Sequence, residues 1–275
     1  MTMNAAEDIL DLIGALKIAG APFAVATVVR TVSLTAAKAG AKAVIRADGA
    51  IEAGWIGGGC ARAAVLKAAR AAMADGRPRL VSVQPLDVLK TQGVQPGDDR
   101  YGIHFAKNAC PSQGGMDVFV EPVLPRPELL VCGASPVAVA LASLARRFGY
   151  FVRVAAPEAA QIAFEAPDAR LTAYAFGELA PAQRYIVVAT QGSGDEAALQ
   201  AALDASAGYV VFVGSRRKVA VLRAALSGRG VDPARLDRLH APAGLAIDAV
   251  TPEEIALSIL AEITALRRRH QRTAP

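Results

Sequence analysis

The sequence predicts an α/β protein in two parts: an N-terminal α+β domain carrying a Gly-Gly-Gly-Cys loop, followed by a C-terminal Rossmann-like domain with a parallel sheet. Three observations predict it. The first half reads as strand, hairpin, strand, glycine-rich loop and helix. Pro122, Pro125 and Pro127 then fall within six residues, and that density favours a stiff, extended connector over a continuing strand. Beyond them, short apolar runs alternate with helical segments, the rhythm of a parallel sheet with crossover helices. The expected division is residues 1–124 and 128–275, with the boundary at about 123–128.

In the first part, residues 23–30 (FAVATVVR) and 42–47 (KAVIRA) have the β-branched, apolar character of strands, and Asp48-Gly49 is a hairpin turn signal. The strand that follows is expected from about Ala50 to Ile56, running straight into Gly57-Gly58-Gly59-Cys60. From Cys60 to about Ala74 the chain is rich in helix formers, and Asp75-Gly76 ends the run. Met116 to Glu121 alternates with period two, as a half-buried strand does.

In the second part, Leu129-Leu130-Val131-Cys132, a helix from Pro136 to Phe148 and the apolar Phe151–Val154 make one strand-helix-strand unit. Tyr185–Ala189 and Tyr209–Val213 are further buried strands, each followed by a loop and a helix. Thr251-Pro252-Glu253-Glu254 combines an N-cap, a first-turn proline and a capping-box glutamate, and Ile255, Ile259 and Ile263 mark the buried face of the helix it starts.

Composition narrows the function. The 275 residues are 53% hydrophobic, yet no apolar stretch approaches the length of a membrane span. The start is interrupted by Glu7, Asp8 and Asp11 and lacks a basic leader region, so the expected location is the cytoplasm. Cys60, Cys110 and Cys132 show no CxxC spacing, and His104, His240 and His270 are scattered. Neither a disulfide framework, a zinc site nor a Ser-His-Asp triad follows. Much of the net charge of +5 sits in Arg216-Arg217-Lys218 and Arg267-Arg268-Arg269; with 5% aromatics and no reading motif, nucleic acid is not the expected partner. A small anion or an acidic protein is.

Four loops carry the candidate chemistry. Gly57, Gly58 and Gly59 let backbone N–H groups approach a ligand, and Cys60 stands where a helix begins, so its thiol pKa is open to lowering by the helix start. A tight turn with a buried small residue is the other reading of the same residues. Gly133-Ala134-Ser135-Pro136-Val137-Ala138 lies on the Gly-x-Gly-x-x-Gly/Ala template with serine at the second glycine. Ser135 either holds a phosphate farther off or caps the helix with its hydroxyl, and Pro136 suits a first helical position. The acidic residue expected about 20 positions on is represented only by the late Glu158, so ordinary NAD(P) binding is not expected. Thr190-Gln191 and Gly214-Ser215-Arg216-Arg217-Lys218 end two further strands, and the latter reads as an anion cradle of backbone donors and side-chain charge.

With these motifs in hand, the chain resembles the XdhC/CoxI family of xanthine dehydrogenase accessory and carbon monoxide dehydrogenase maturation proteins. The resemblance rests on Ala26-Thr27-Val28-Val29-Arg30, Gly57-Gly58-Gly59-Cys60, Phe119-Val120-Glu121-Pro122, Gly214–Lys218, and His240-Ala241-Pro242-Ala243-Gly244-Leu245 leading into Thr251–Ala256. It implies a cofactor-binding chaperone rather than a turnover enzyme, one that holds the molybdenum cofactor (molybdopterin or its cytosine dinucleotide), supports its sulfuration and delivers it to an apo molybdenum hydroxylase. A cysteine desulfurase and a second copy of the chain are candidate partners. The implied ligand contacts are Gly57, Gly58, Gly59, Cys60, Cys110, Gly133, Ser135, Pro136, Thr190, Gln191, Gly214, Ser215, Arg216, Arg217 and Lys218, with Cys60 the candidate contact to molybdenum, since thiolates suit soft metals. An NAD(P)-dependent oxidoreductase and a docking scaffold using Arg267–Arg269 are the alternatives.

The sequence departs from the family pattern at four places. Many relatives have Gly-Ala-Gly-His where this chain has Gly133-Ala134-Ser135-Pro136, an acidic residue near Ala156, and a histidine near Gln191. Many also follow the second cysteine directly with two glycines, whereas here Cys110-Pro111-Ser112-Gln113 precedes Gly114-Gly115.

Overall fold

The computed structural model describes residues 5–33, 35, 37–110, 113–176 and 183–273, without the side chains of 5–8, Cys60 and 270–273. The chain divides into two compact units, residues 1–125 with 271–275, and residues 126–270.

The first unit contains α1 (Ala5–Ile18), β1 (Phe23–Val32), β2 (Lys42–Arg46), β3 (Ile51–Gly54), α2 (Gly59–Asp75), β4 (Arg79–Gln84), α3 (Leu86–Thr91), β5 (Asp99–Arg100), β6 (Ile103–Lys107) and β7 (Gly115–Val123). The strands form one mixed sheet in the order β3-β2-β1-β7-β4-β6-β5. The alternation of β1, β4 and β7 sends Ala26, Val28, Val81, Val83, Val118 and Val120 to one face, where Val65, Ala69 and Ala72 of α2 cover them. On the other face α1 packs Ile9 and Leu16 onto Phe23 and Val44.

Two strand ends differ from expectation. The third strand stops at Gly54, not Ile56, because Gly54 sits at φ +87 and a side chain there would meet the Lys42 carbonyl at 2.0 Å; the chain turns away at this point. β7 runs through Pro122 to Val123. Its pairing with β4 ends at Val120, while β1 continues alongside to Val123, so the proline lies where β7 has a neighbour on one side only and a missing N–H is tolerated.

The second unit contains β8 (Glu128–Cys132), α4 (Pro136–Arg147), β9 (Phe151–Ala155), a 3₁₀ turn (Glu158–Ala163), β10 (Ala169–Leu171), β11 (Arg184–Val188), α5 (Asp195–Asp204), β12 (Tyr209–Phe212), α6 (Arg216–Gly228), α7 (Pro233–Leu236), β13 (Leu239–His240) and, as far as residue 270, α8 (Pro252–Thr273). All pairings are parallel, in the order β10-β9-β8-β11-β12-β13. The order reverses between β8 and β11, the switch point where sheets of this kind bind ligands. One face packs on α4 and α8 through Leu141, Ala145, Ile259 and Ile263, the other on α5 and α6 through Leu199, Leu203, Leu222 and Leu226. The capping box of α8 forms as expected: Glu254 N–H donates to Thr251 Oγ1 at 3.3 Å and Thr251 N–H to Glu254 Oε2 at 2.9 Å.

Candidate functional site

In the first unit, one edge of the sheet gathers the chemistry. β1, β3, β4 and β6 all end at this edge and β7 begins there, so the topology brings Gly57–Cys60, Gln84, residues 107–110 and Gly114–Gly115 to the same side. Gly57 has φ +104, and a Cβ there would lie 3.2 Å from Met116 Cε. Gly58 is the N-cap of α2 and provides no side-chain acceptor, and the first turn holds no acidic residue. Gly59 and Cys60 are its first two residues. A 17-residue helix therefore presents its first-turn amides and positive dipole end with no side-chain cap and no acidic residue in its first turn. The Cys60 side chain lies outside the described residues.

Cys110 is exposed beside a cleft of about 500 Å³ that also takes Lys90, Lys107 and Gln113 in its wall. Asn108 shapes the loop, its amide donating to the Gly114 carbonyl at 2.6 Å and its oxygen accepting from Cys110 N–H at 2.9 Å. On the sheet face away from α2 lies a polar relay that the sequence reading missed. Arg30 Nε donates to Asp117 Oδ2 at 2.7 Å, while Asp117 Oδ1 accepts from Ser82 Oγ at 2.7 Å and Gln84 Nε2 at 3.3 Å. A faint signal exists: Arg30 and Asp117 are polar residues inside β-branched runs. Among the described residues, no group of three or more His, Cys, Asp or Glu is placed to hold a metal ion.

In the second unit, the three helix starts over the sheet's carboxyl edge differ in what they offer an anion. At α4, Ser135 caps the helix, its Oγ accepting from Ala138 N–H at 3.2 Å. Pro136 has no N–H, so of the three first-turn amides only that of Val137 is left. Gly133 serves the fold: at φ +101 a Cβ would stand 2.6 Å from the Ala189 carbonyl oxygen and the Thr190 Cα. Glu158, the late acidic residue, is exposed.

At α5, Asp195 and Glu196 open the helix. The buried Asp195 carboxylate accepts from Thr190 Oγ1 and from Gly192 N–H at 3.0 Å, and pairs with Lys218 Nζ at 2.6 Å. Burial pushes this carboxyl upward, but the hydrogen bonds from Lys218, Thr190 and Gly192 outweigh it, and its pKa falls below the ordinary carboxylate value. Gln191 is exposed with φ 51.

At α6, Ser215 caps the helix by accepting from Lys218 N–H at 3.3 Å. Gly214 lets the chain pass the Phe212 ring, which a Cβ would approach to 2.4 Å. The three cations part company: Lys218 is held by Asp195 over the Phe212 ring, whereas Arg216 and Arg217 are exposed. Thus one charge of the expected cradle is answered inside the protein. Farther away, Arg267 of the second basic run is half-buried with its guanidinium 4.9 Å from the Tyr150 ring centroid.

Fold and loops together define a two-unit α/β protein with a Rossmann domain as its second unit. The XdhC Rossmann domain pattern matches residues 129–263, and the XdhC and CoxI family pattern matches residues 17–84. The chain belongs to the XdhC and CoxI family. It is 31% identical over 258 residues to the Escherichia coli protein YqeB, covering 90% of this chain and 44% of that one. To a Bacillus subtilis protein described as a probable xanthine dehydrogenase component it is 29% identical over 164 residues, covering 56% of this chain and 47% of that one. The chain thus spans about half the length of these relatives. A crystal structure titled as a xanthine dehydrogenase from Bacillus halodurans superimposes over 94% of this chain and 96% of its own, with a TM-score of 0.46 and 19% identity. No helix among the described residues is long and apolar enough to cross a membrane.

Proposed function

We propose that this protein is a maturation factor for a molybdenum hydroxylase of the xanthine or carbon monoxide dehydrogenase type, holding the molybdenum cofactor as cargo and supporting its sulfuration and insertion. The observation that carries the reading is the start of α2: a glycine loop leads into a long helix with no side-chain cap, no first-turn acid, and a cysteine as its second residue. Such a start favours an anion at its amides and lowers the pKa of a thiol placed there. Those features fit a phosphorylated, sulfur-rich pterin, whose own dithiolene brings the metal, so the protein needs no metal cage of its own. When bound, the group supplies the molybdenum that the hydroxylase requires. The residues of this chain bind it, keep the α2 amides aimed at it, and offer Cys60 as a soft ligand. The apo hydroxylase and a cysteine desulfurase are the partners this reading requires.

The oxidoreductase alternative is disfavoured by the α4 start, where Pro136 and Ser135 between them remove two of three amides from a pyrophosphate. The docking-scaffold alternative is weakened by Arg267, which is committed to Tyr150.

The test is purification from cells that make the cofactor, followed by pterin fluorescence, mass identification and transfer to an apo hydroxylase. The parent chain is expected to carry and deliver pterin, and Cys60→Ser to fold normally while losing retention or delivery. Absence of pterin together with absence of transfer refutes the proposal. Tight nicotinamide-cofactor binding with turnover would put the oxidoreductase in its place.

A further inference from the structure

The Arg30 relay is more elaborate than an exposed ion pair requires. Surface pairs return about 0–1 kcal/mol, and the Arg30 side chain is 60% exposed. Yet four features are arranged around it. An extra residue in β1, between Val28 and Arg30, puts Arg30 opposite Asp117 across the β1–β7 pair. Ser82 and Gln84, 4% and 3% exposed, hold the second carboxylate oxygen. Gln84 Nε2 also donates to Ser82 Oγ at 3.1 Å, tying the two together. Gly115 leaves room for the Gln84 carboxamide, because a Cβ there would lie 2.0 Å from Gln84 Oε1.

The result is an arginine whose Nε is fixed from below, while its two Nη nitrogens make no hydrogen bond among the described residues. A planar fork pre-oriented in this way matches two oxygens of a phosphate, and little side-chain freedom remains to be lost on binding. Arg30 stands two residues from the end of β1, at the end of the sheet to which the topology also brings the Gly57–Cys60 loop, residues 108–110 and Gly114–Gly115.

We propose that Arg30 binds a phosphate group of the ligand at this edge through its Nη fork, with Asp117, Ser82 and Gln84 as positioning residues. This rests on the cofactor-holding reading and deepens it by assigning the phosphate end of the cargo to the first unit.

Pyrophosphate is the probe, titrated at constant ionic strength into the full chain with 15N-labelled arginine. The Arg30 Nε and Nη signals, assigned by their loss in Arg30→Lys, are expected to shift saturably. Affinity should fall about tenfold in Arg30→Gln, and about threefold or more in Arg30→Lys and Ser82→Ala, since each removes or loosens a charged, bidentate contact. The thermal midpoint of Arg30→Lys should stay close to the parent value, which separates binding from stability. An Arg30 signal that does not move, or unchanged affinity in Arg30→Gln, overturns the inference. Pterin retention tells its failure apart from that of the cofactor reading. Pterin held equally by the parent and Arg30→Gln chains refutes the Arg30 assignment alone, whereas Arg30-dependent pyrophosphate binding with neither pterin nor transfer leaves the anion site standing and removes the cofactor reading.

Discussion

Asp195→Asn tests how the crevice of the second unit is organised. The Asp195 side chain is 9% exposed and serves three donors: Lys218 Nζ, Thr190 Oγ1 and Gly192 N–H. Asparagine keeps the shape, loses the charge, and turns an NH2 group toward one of those donors. Hydrogen bonds to a charged group are worth about 1.5–3 kcal/mol. The Lys218 side chain is 37% exposed, so its share is discounted to about 1 kcal/mol or less. A net loss of about 2–3 kcal/mol is expected, a fall of roughly 8–12 °C in the midpoint of this unit. Urea unfolding of Asp195→Asn, Lys218→Met and the double variant should give a coupling energy of about 1 kcal/mol. The pH dependence has a definite sign. Because the folded pKa lies below the unfolded value of 3.8, the contribution is fully present above that value and is lost as pH falls through the folded pKa. The gap between parent and Asp195→Asn should therefore be flat near neutrality and close below about pH 4. Neutralising Asp195 also releases Lys218, so the variant should bind pyrophosphate several-fold more tightly than the parent. A stability change under about 0.5 kcal/mol, or a gap that persists in acid, would refute the view that Asp195 is the internal anion of this crevice.

Two further outcomes follow from the same physics. Cys132 is wholly buried at the end of β8 and burial pushes its thiol well up, so a thiol reagent followed by peptide mass analysis should modify exposed Cys110 quickly and reach Cys132 only on unfolding. Ser135→Gly with Pro136→Ala restores two α4 amides at a capping cost of a few tenths of a kcal/mol, and ADP affinity by calorimetry should rise; no gain would place the obstacle at the missing ribose carboxylate, not at the helix start.

What is legible in the sequence is what local periodicity and turn chemistry dictate. The hairpin at Asp48-Gly49, the helix from the glycine loop to Gly76, the alternating strand around Val118 and the capping box at Thr251 all report on neighbours a few residues apart. The parallel sheet follows from the rhythm of short apolar runs. By contrast, β4 does not announce itself as a strand, because Arg79-Leu-Val-Ser-Val-Gln alternates only against partners on β6 and β7 that are themselves distant in the chain. The extent of β7 departs from expectation for a related reason, since whether a proline is tolerated depends on which strand lies beside it.

The candidate loops stand out in the sequence, but not how their charges are distributed, and that difference governs the chemistry. Gly214–Lys218 reads as three cations at a helix start, and nothing local reveals that Asp195, on another loop, answers one of them. Ser135 and Pro136 read as a variant phosphate loop, and only the Ser135 to Ala138 bond shows the hydroxyl turned inward to the helix. Arg30 shows the opposite error: it sits in an apolar strand, and its partner Asp117 lies 87 positions away in the chain, so its own neighbourhood does not reveal the relay. In each case a charged or polar group changes meaning according to whether its counter-charge is built into the fold. By that criterion Arg30 has its counter-charge, Asp117, in the fold and keeps only its two Nη nitrogens without a hydrogen bond among the described residues, whereas the start of α2 has neither a side-chain cap nor a first-turn acid.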